Sequence, residues 1–353
     1  MSSAPDEARS ERRIAVARAL SSVFWSPQAA GLRSHTVELA TAQRPTLSDL
    51  GDDLPGGEVI ELPVEIDSPL EHLERYTVLR MIGAGGMGKI YQAYDSLLER
   101  NVALKVMHAD VPPREQRRFR REAILGARLL HPSLVRIYDM GVDCRGDTEW
   151  MAMEYLPGTD MLRLLDATRA RGQALPWPAL VRGLTQVLMA LQYLHDCRVV
   201  HCDVKPANMF VTRDPNTRFL TTKLLDLGIA YDLDGPRPGP NDPLCGDPNY
   251  IAPEQTMHGG VIEPRTDLYA VGVSLYELAT GVLPFEELTS APLHELLIAQ
   301  RDLTPPPPSS RMPASTPPEL ADRLDWIFSR ACAKDPARRY PSARAMQAAL
   351  NSE

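Results

Sequence analysis

Two stretches decide the fold of this chain: His201-Cys202-Asp203-Val204-Lys205-Pro206-Ala207-Asn208 and, further along, Asp226-Leu227-Gly228. The first places an aspartate, a lysine and an asparagine in one compact polar cluster, and the second adds an aspartate in a turn after an apolar run. This combination suits phosphoryl transfer, because one carboxylate orients a hydroxyl, the lysine offsets the moving charge, and Asn and Asp hold Mg²⁺. Several phosphotransferase families use such a cluster, so its meaning depends on the motifs that accompany it.

A glycine-rich segment lies upstream, at Gly83-Ala84-Gly85-Gly86-Met87-Gly88-Lys89-Ile90. Glycine has no Cβ and therefore lets a backbone turn tightly and approach phosphates closely. A dinucleotide-binding unit has similar spacing, but its glycines open a helix. The residues after Gly88 have the pattern of a strand. The segment therefore predicts a phosphate-binding hairpin between two strands.

The next strand-like segment, Val102-Ala103-Leu104-Lys105-Val106, places a lysine among apolar neighbours. A buried lysine costs free energy through desolvation unless it meets an anion, such as a phosphate or a carboxylate. The segment Pro113–Leu130 has apolar residues at helical spacing and contains Glu122. We therefore expect an ion pair between Lys105 and Glu122 that fixes the lysine over the α- and β-phosphates of a nucleotide.

Taken in order, these motifs resemble those of the protein kinase family, in its bacterial serine/threonine branch. Two further residues fit the resemblance. Asp267 is similar to the family's buried aspartate, which braces the catalytic loop. Arg339 is similar to the arginine that pairs with a glutamate of the activation segment, which is Glu254 in Ala252-Pro253-Glu254.

The resemblance implies an α+β, bilobal, protein-kinase-like fold. We expect a small lobe at about 76–155, an antiparallel sheet with one main helix, and a large, mainly helical lobe at about 156–350. Together they form a kinase domain at 73–353. Residues 1–72 have scattered charges, Pro and Gly, which favour a mostly flexible N-terminal segment, with the apolar spacing of one short helix at Glu7–Trp25.

The resemblance also implies the site and its cofactors, ATP and Mg²⁺, with Mn²⁺ as an alternative metal. Asp203 is the implied catalytic base, assisted by Lys205, Lys105 and Glu122. The implied metal ligands are Asn208 and Asp226. Nucleotide contacts are assigned to the glycine-rich loop, the roof and floor of the cleft and the connection between the lobes: Ile82, Gly83, Ala84, Gly85, Gly86, Met87, Gly88, Lys89, Ile90, Ala103, Lys105, Glu154, Leu156 and Phe210.

The composition restricts the partners and the cellular compartment that we expect for this protein. A net charge of −8 argues against nucleic acid as the main partner, and the basic cluster at Arg117, Arg118, Arg120 and Arg121 is interpreted as a solvated helix face. The five cysteines form no C-x-x-C pair, which fits a reducing compartment. No apolar run of about 18 residues and no signal-peptide core occurs, so the sequence predicts a cytoplasmic protein without a membrane span. Protein substrates and ATP are the expected partners, and nothing selects an oligomeric state.

Three residues or segments depart from the family pattern. Cys202 stands where many kinases have an arginine that binds a phosphate on the activation loop. The loop from Asp226 to Glu254 contains no serine or threonine, only Tyr231 and Tyr250. We therefore expect that Ser/Thr phosphorylation of this loop does not switch the protein on. Asp247 stands where serine/threonine kinases usually have threonine, and its carboxylate is expected to pair with Lys205.

Two alternatives stay open from the sequence. A pseudokinase, or a weakly active nucleotide-binding scaffold, is favoured by Cys202 and Asp247. A small-molecule kinase of related fold shares the Asp, Asn, Asp cluster. Such enzymes usually lack a segment like Ala252-Pro253-Glu254 with its arginine partner. The sequence therefore favours a protein substrate.

Overall fold

The computed structural model describes residues 73–352, apart from 74, 86, 144–147, 214–218, 236–245 and 258. The predicted N-terminal segment at 1–72, with its short helix, lies outside this range. Five antiparallel strands form the first layer, in the order β1-β2-β3-β5-β4. Their bounds are β1 Tyr76–Ala84, β2 Gly88–Asp95, β3 Arg100–Met107, β4 Ile137–Val142 and β5 Glu149–Glu154.

Strand β3 is buried on both of its faces, which explains its near-continuous apolar sequence. Val102, Leu104 and Val106 point to one side and join Ala93 of β2 in a core cluster. Because side chains alternate along a strand, Lys105 points to the opposite side. Strand β3 therefore places one charged side chain, that of Lys105, on the inner face of the sheet.

Helix α1, Pro113–Arg128, covers the inner face of the sheet. Its Phe119 and Ala123 pack with Ile137 of β4 in a second cluster. A Cβ at Gly126 would lie only 2.3 Å from Ile137 Cδ1. The glycine therefore lets α1 approach β4 closely, and this approach sets the depth at which the helix carries Glu122.

The rest of the described chain is mainly helical. Its helices are α2 Met161–Ala170, α3 Trp177–Asp196, α4 Pro264–Thr280, α5 Leu293–Asp302, α6 Pro318–Ala331 and α7 Ala343–Asn351. Helix α4 is buried at every position from Thr266 to Leu278, so it forms the centre of this part, as expected for a helix enclosed on all sides. Among the described residues, none of the helices combines the length and apolarity needed to cross a membrane.

Short strands form the edge of the helical part that faces the first sheet. Strand β8, Met209–Arg213, pairs with β6, Gly158–Asp160, and with β9, Leu220–Leu224. Strand β7, Val199–Val200, pairs with β10, Tyr231–Asp232. Residues 155–157 connect the two parts. This is the α+β, two-lobed arrangement that the sequence predicted.

One buried ion pair ties the segment after β10 to the helical core. The guanidinium of Arg339 donates to both carboxylate oxygens of Glu254, each at 2.7 Å, and both side chains are buried. Thr266, in the first turn of α4, donates to the same carboxylate at 2.8 Å. A bidentate pair with extra hydrogen bonds is the arrangement in which buried charges are tolerated.

We expect Arg339→Leu to destabilise the protein by about 3–5 kcal/mol, because the Glu254 carboxylate would stay buried without its cation. Glu254→Leu combined with Arg339→Leu should recover part of this loss. The measurement is chemical denaturation followed by fluorescence. Arg301→Leu is the matched control, since the Arg301–Asp302 pair is largely exposed and its loss should change stability little. Equal effects of Arg339→Leu and Arg301→Leu would contradict the assignment.

Candidate active site

The loop after β7 is held by a buried aspartate on α4. Asp267 is fully buried, and its carboxylate accepts hydrogen bonds from the backbone N–H groups of His201 and Cys202, both at 2.9 Å. His195 Nε2 contacts it at 2.8 Å. Cys202 has φ of 65°, a left-handed conformation that is costly for a residue with a Cβ. Asp267 supplies the bonds that keep the turn in this shape.

The turn brings the three polar residues of the loop together. Lys205 Nζ lies 3.0 Å from Asp203 Oδ2 and donates to Oδ1 at 3.1 Å. Asn208 Nδ2 donates to Asp203 Oδ2 at 2.9 Å and to its backbone carbonyl at 2.8 Å. Each side chain therefore orients the others, and Asp203 is held between a cation and an amide.

His201 connects this loop to the turn that contains Asp226. The Asp203 N–H donates to His201 Nδ1 at 3.2 Å, so Nε2 carries the ring proton and donates to the Leu225 carbonyl at 3.0 Å. Asp226 also has positive φ, 63°, and accepts from the Gly228 N–H at 3.0 Å. His201 thus links two strained turns through its two ring nitrogens.

The Asp226 carboxylate is buried in a cationic environment. Burial disfavours its charged form, but Lys105, the Gly228 N–H and Lys205 outweigh this effect and hold the pKa of Asp226 below its usual value. The carboxylate is therefore ionised at neutral pH. Its charge is available to a metal ion or a cationic group in the cleft.

The ion pair expected from the sequence is present between β3 and α1. Lys105 Nζ lies 2.8 Å from Glu122 Oε2 and 3.1 Å from Oε1, and both side chains are largely buried. Burial lowers the pKa of the Lys105 ammonium, but the carboxylates of Glu122 and Asp226 overcome this and hold the pKa above its usual value. Lys105 is thus a permanent cation that links the sheet, the helix and the Asp226 turn.

The glycine-rich segment forms a tight hairpin. Gly85 and Gly88 exchange backbone hydrogen bonds, at 2.9 Å for the Gly85 N–H and 3.3 Å for the Gly88 N–H. A Cβ at Gly88 would lie 2.1 Å from the Val106 carbonyl oxygen, whereas a Cβ at Gly85 would meet nothing within 4 Å. Gly88 therefore allows β2 to lie against β3, and Gly85 leaves the tip open. Gly86 lies outside the described residues.

The other residues assigned to the nucleotide occupy the inner sheet, the hairpin and the connection. Ile90 lies directly opposite Lys105 in the β2–β3 pair, and Ala103 lies two residues before Lys105, so both share its face. Gly83 and Ala84 pair with Ile90 and Lys89 across the hairpin, Ile82 lies at an irregularity of β1, and Met87 lies in the turn.

The connection between the lobes uses some of its polar groups within the protein. The Glu154 N–H donates to the Arg136 carbonyl at 2.8 Å, and its carboxylate accepts from Lys223 at 2.9 Å. Leu156 follows in the connection. Phe210 on β8 lies opposite Asp160 of β6, on the helical side of the cleft.

Asp247 reaches the catalytic cluster from the end of the activation segment. Its Oδ2 lies 3.7 Å from Lys205 Nζ, so the pair expected from the sequence forms as a looser contact than that of Lys205 with Asp203. Its backbone N–H donates to Asp203 Oδ1 at 3.3 Å. Asn249 donates to Asp247 Oδ1 from both its backbone and side-chain nitrogens, at 3.1 and 3.0 Å.

Sequence reasoning missed Gln300 on α5. This side chain is buried and donates to the Asn249 carbonyl at 2.8 Å, while Tyr269 of α4 donates to its oxygen at 2.7 Å. Gln300 therefore fixes the backbone beside Asp247. Glutamine in an amphipathic helix carries no sequence signal for such a contact, because its partner is 51 residues away.

The residues present suit Mg²⁺. Asn208 uses its amide nitrogen for Asp203, which directs the amide oxygen away as a ligand atom. Together with the ionised Asp226 it offers oxygen ligands from two side chains. Mg²⁺ usually takes one or two protein oxygens and completes its shell with water and substrate phosphates, and Mn²⁺ accepts the same ligand types.

Comparisons with known proteins agree with this geometry. Residues 76–350 match the family described as protein kinase domain. The chain is 37% identical over 290 residues to the serine/threonine-protein kinase pkn3 of Myxococcus xanthus, covering 79% of this chain and 50% of that protein. It is 34% identical over 280 residues to PrkC of Bacillus subtilis, covering 79% and 40%. The chain therefore spans half or less of the length of these relatives.

Solved structures show the same likeness. The PknI kinase domain of Mycobacterium tuberculosis is 30% identical, with a TM-score of 0.58 and coverage of 78% of this chain and 95% of that chain.

We expect Gly88→Ala to destabilise the protein by about 1–3 kcal/mol, because the new methyl group would force β2 away from the β3 backbone. Gly85→Ala is the matched control in the same hairpin and should change stability by less than about 0.5 kcal/mol. Thermal unfolding of both variants gives the comparison. If both variants unfold at the wild-type temperature, the close approach of β2 and β3 at Gly88 is wrong.

Proposed function

Because this chain belongs to the protein kinase family, we propose that it is an ATP-dependent serine/threonine protein kinase. It transfers the γ-phosphoryl group of ATP–Mg to a protein hydroxyl. One observation carries the proposal: Asp203, Lys205 and Asn208 form a hydrogen-bonded cluster beside Asp226, while Lys105 and Glu122 are already paired. These are the groups that phosphoryl transfer requires in the kinase template.

Asp203 acts as the catalytic base. The substrate hydroxyl donates to its carboxylate and transfers its proton there as the oxygen–phosphorus bond forms and the bond to ADP breaks. Lys205, 3.0 Å from Asp203, offsets the negative charge of the moving phosphoryl group. Asn208 and Asp226 would hold Mg²⁺ or Mn²⁺, which would supply positive charge to the phosphate oxygens. Positioning and electrostatics supply most of the acceleration in such reactions.

Lys105 positions the α- and β-phosphates, and Glu122 keeps it in place. The hairpin at 83–90 covers the phosphates with its backbone N–H groups. Ile82, Ile90 and Ala103 form the roof over adenine and Phe210 forms the floor, with backbone groups of Glu154 and Leu156 at the base edge. The kinase domain comprises residues 73–353, follows an N-terminal segment at 1–72, and acts on protein substrates in the cytoplasm.

The activation segment reaches its working position without Ser/Thr phosphorylation. Four contacts support this, and all of them use groups encoded in the chain. Asp247 bonds Asp203 through its N–H, Gln300 holds the Asn249 carbonyl, Glu254 pairs with Arg339, and Tyr231 pairs with Val200 of β7. Cys202 replaces the usual phosphate-binding arginine, and no serine or threonine occurs between residues 226 and 254.

A second candidate is a pseudokinase, or a weakly active nucleotide-binding scaffold. Asp247 favours it, because a second carboxylate lies 3.7 Å from Lys205 and competes with the phosphoryl group for this cation. The complete set of Lys105, Glu122, Asp203, Asn208 and Asp226 favours the active kinase.

Asp203→Asn should lower transfer of labelled γ-phosphate to a generic basic protein by about 10²–10⁴-fold, because Asn cannot accept the hydroxyl proton. ATP binding should be unchanged, since Asp203 contacts the substrate hydroxyl and not the nucleotide. The assay compares wild type and variant at saturating ATP–Mg. If wild type binds ATP but transfers no label, the scaffold alternative replaces the kinase.

Tyr231→Phe should leave the rate of transfer within about twofold of wild type, because no phosphate on this loop is needed.

Tyr250 is a poor phosphorylation site, since it is buried and its hydroxyl donates to buried Glu277. Tyr250→Phe should therefore lower stability by about 1.5–3 kcal/mol through loss of a hydrogen bond to a carboxylate. It should retain activity when assayed below its unfolding temperature. Loss of activity in Tyr231→Phe alone would contradict control without loop phosphorylation.

A further inference from the structure

Helix α1 has a solvent-facing side that is basic along its whole length. Phe119, Glu122, Ala123 and Gly126 are its buried positions. At 3.6 residues per turn, the opposite side carries Arg114, Arg117, Arg121 and Arg128, which we call the arginine stripe. Ile124, with 51% of its surface exposed, lies on the same side.

The structure separates this stripe from the other arginines of the helix. Arg118 donates to Glu115 at 3.0 Å, and Arg120 donates to Glu149. The basic cluster in the sequence includes Arg118 and Arg120 together with Arg117 and Arg121. In the structure, Arg118 and Arg120 lie off the stripe and bond Glu115 and Glu149. Within the described part of the chain, no carboxylate lies at ion-pairing distance from any member of the stripe.

An isolated stripe of this kind disfavours the helix that carries it. Like charges three or four residues apart repel each other. Arg114 also lies in the first turn, where the partial positive charge of the helix end disfavours a cation. Pro112 at the N-cap provides no side-chain hydrogen bond to this end. An anionic occupant with some apolar character would remove the repulsion and cover Ile124.

The same chain contains an anionic segment of suitable composition just before the kinase domain. Residues 45–74 contain no lysine or arginine. Their nine acidic residues carry one more negative charge than the net charge of −8 of the whole chain: Asp49, Asp52, Asp53, Glu58, Glu61, Glu65, Asp67, Glu71 and Glu74. Between these acids lie the apolar residues Val59, Ile60, Leu62, Val64 and Ile66.

We propose that residues 49–72, the acidic segment, dock on the arginine stripe of α1 and hold this helix in place. The segment joins the described fold at the start of β1. Arg75 is bound to Asp95 at 2.8 Å and to Asp139 of β4 at 2.9 Å. Strand β4 is the strand on which α1 packs, through Ile137. Leu73 packs against the cluster of Val102 and Leu104 on the face of the sheet opposite α1, so docking requires the segment to pass around the sheet.

Length imposes no obstacle. A helix of 16 residues is about 24 Å long. A chain of 24 residues extends to at most about 80 Å, so the segment reaches every arginine of the stripe without a further linker. Docking opposite the buried side of α1 stabilises the helix that carries Glu122. The occupied stripe therefore favours the pair of Glu122 with Lys105.

Zero-length cross-linking tests the docking directly. Arg121→Lys keeps the charge and introduces an amine that carbodiimide joins to a neighbouring carboxylate. In the full chain at low concentration, we expect an amide between position 121 and an acid of residues 49–72 in the monomer fraction, identified by mass spectrometry. Arg182→Lys, an exposed position on α3, is the matched control and should give at least tenfold less of this product.

Hydrogen exchange tests the consequence for the helix. Replacing Glu58, Glu61, Glu65 and Asp67 by the corresponding amides should speed backbone exchange in α1 severalfold and leave α3 unchanged. Equal cross-linking from positions 121 and 182, cross-links found only between two chains, or unchanged exchange in α1 would overturn the proposal. Neither readout requires catalysis, so failure here is distinct from failure of the proposed kinase activity.

Discussion

The carboxylate of Asp267 is the constraint on which the site depends. It is fully buried on α4, and its negative charge is satisfied by the N–H groups of His201 and Cys202 and by the His195 ring. A buried carboxylate without these donors would be very costly, so the loop must supply them. The left-handed turn at Cys202 results from this requirement. This turn aligns Asp203 with Lys205 and Asn208.

The turn is connected to the rest of the site by hydrogen bonds and ion pairs. His201 bonds the backbone just before Asp226, Asp226 interacts with Lys105, and Lys105 pairs with Glu122 on α1. Toward α5, hydrogen bonds connect Asp203 to Asp247, Asp247 to Asn249, and Asn249 to Gln300. Each of these contacts joins groups that the chain itself encodes. An acidic segment on the outer face of α1 would stabilise this helix, whose position depends on the close packing of Gly126 against Ile137.

The sequence predicted those parts of the site whose partners follow from motifs. The pairs Lys105–Glu122 and Glu254–Arg339 belong to this group, as does the bracing role of Asp267, because a buried charge in a known motif demands a known partner. Helix α1 was expected to end at Leu130 and ends at Arg128, a small difference at a boundary without a strong stop signal. The contact of Gln300 with Asn249 could not be predicted, since a buried glutamine in a helix satisfies any nearby carbonyl. The division of the arginines on α1 depended on Glu149 of β5, which only the fold brings near.

We propose that the chain folds directly into a working kinase arrangement without a phosphorylation step. The most direct test is the time course of peptide phosphorylation by protein shown by intact mass to carry no phosphate. We expect product to rise linearly from the first measurable point, at a rate unchanged by prior incubation with ATP–Mg. A lag that disappears after such incubation would contradict it.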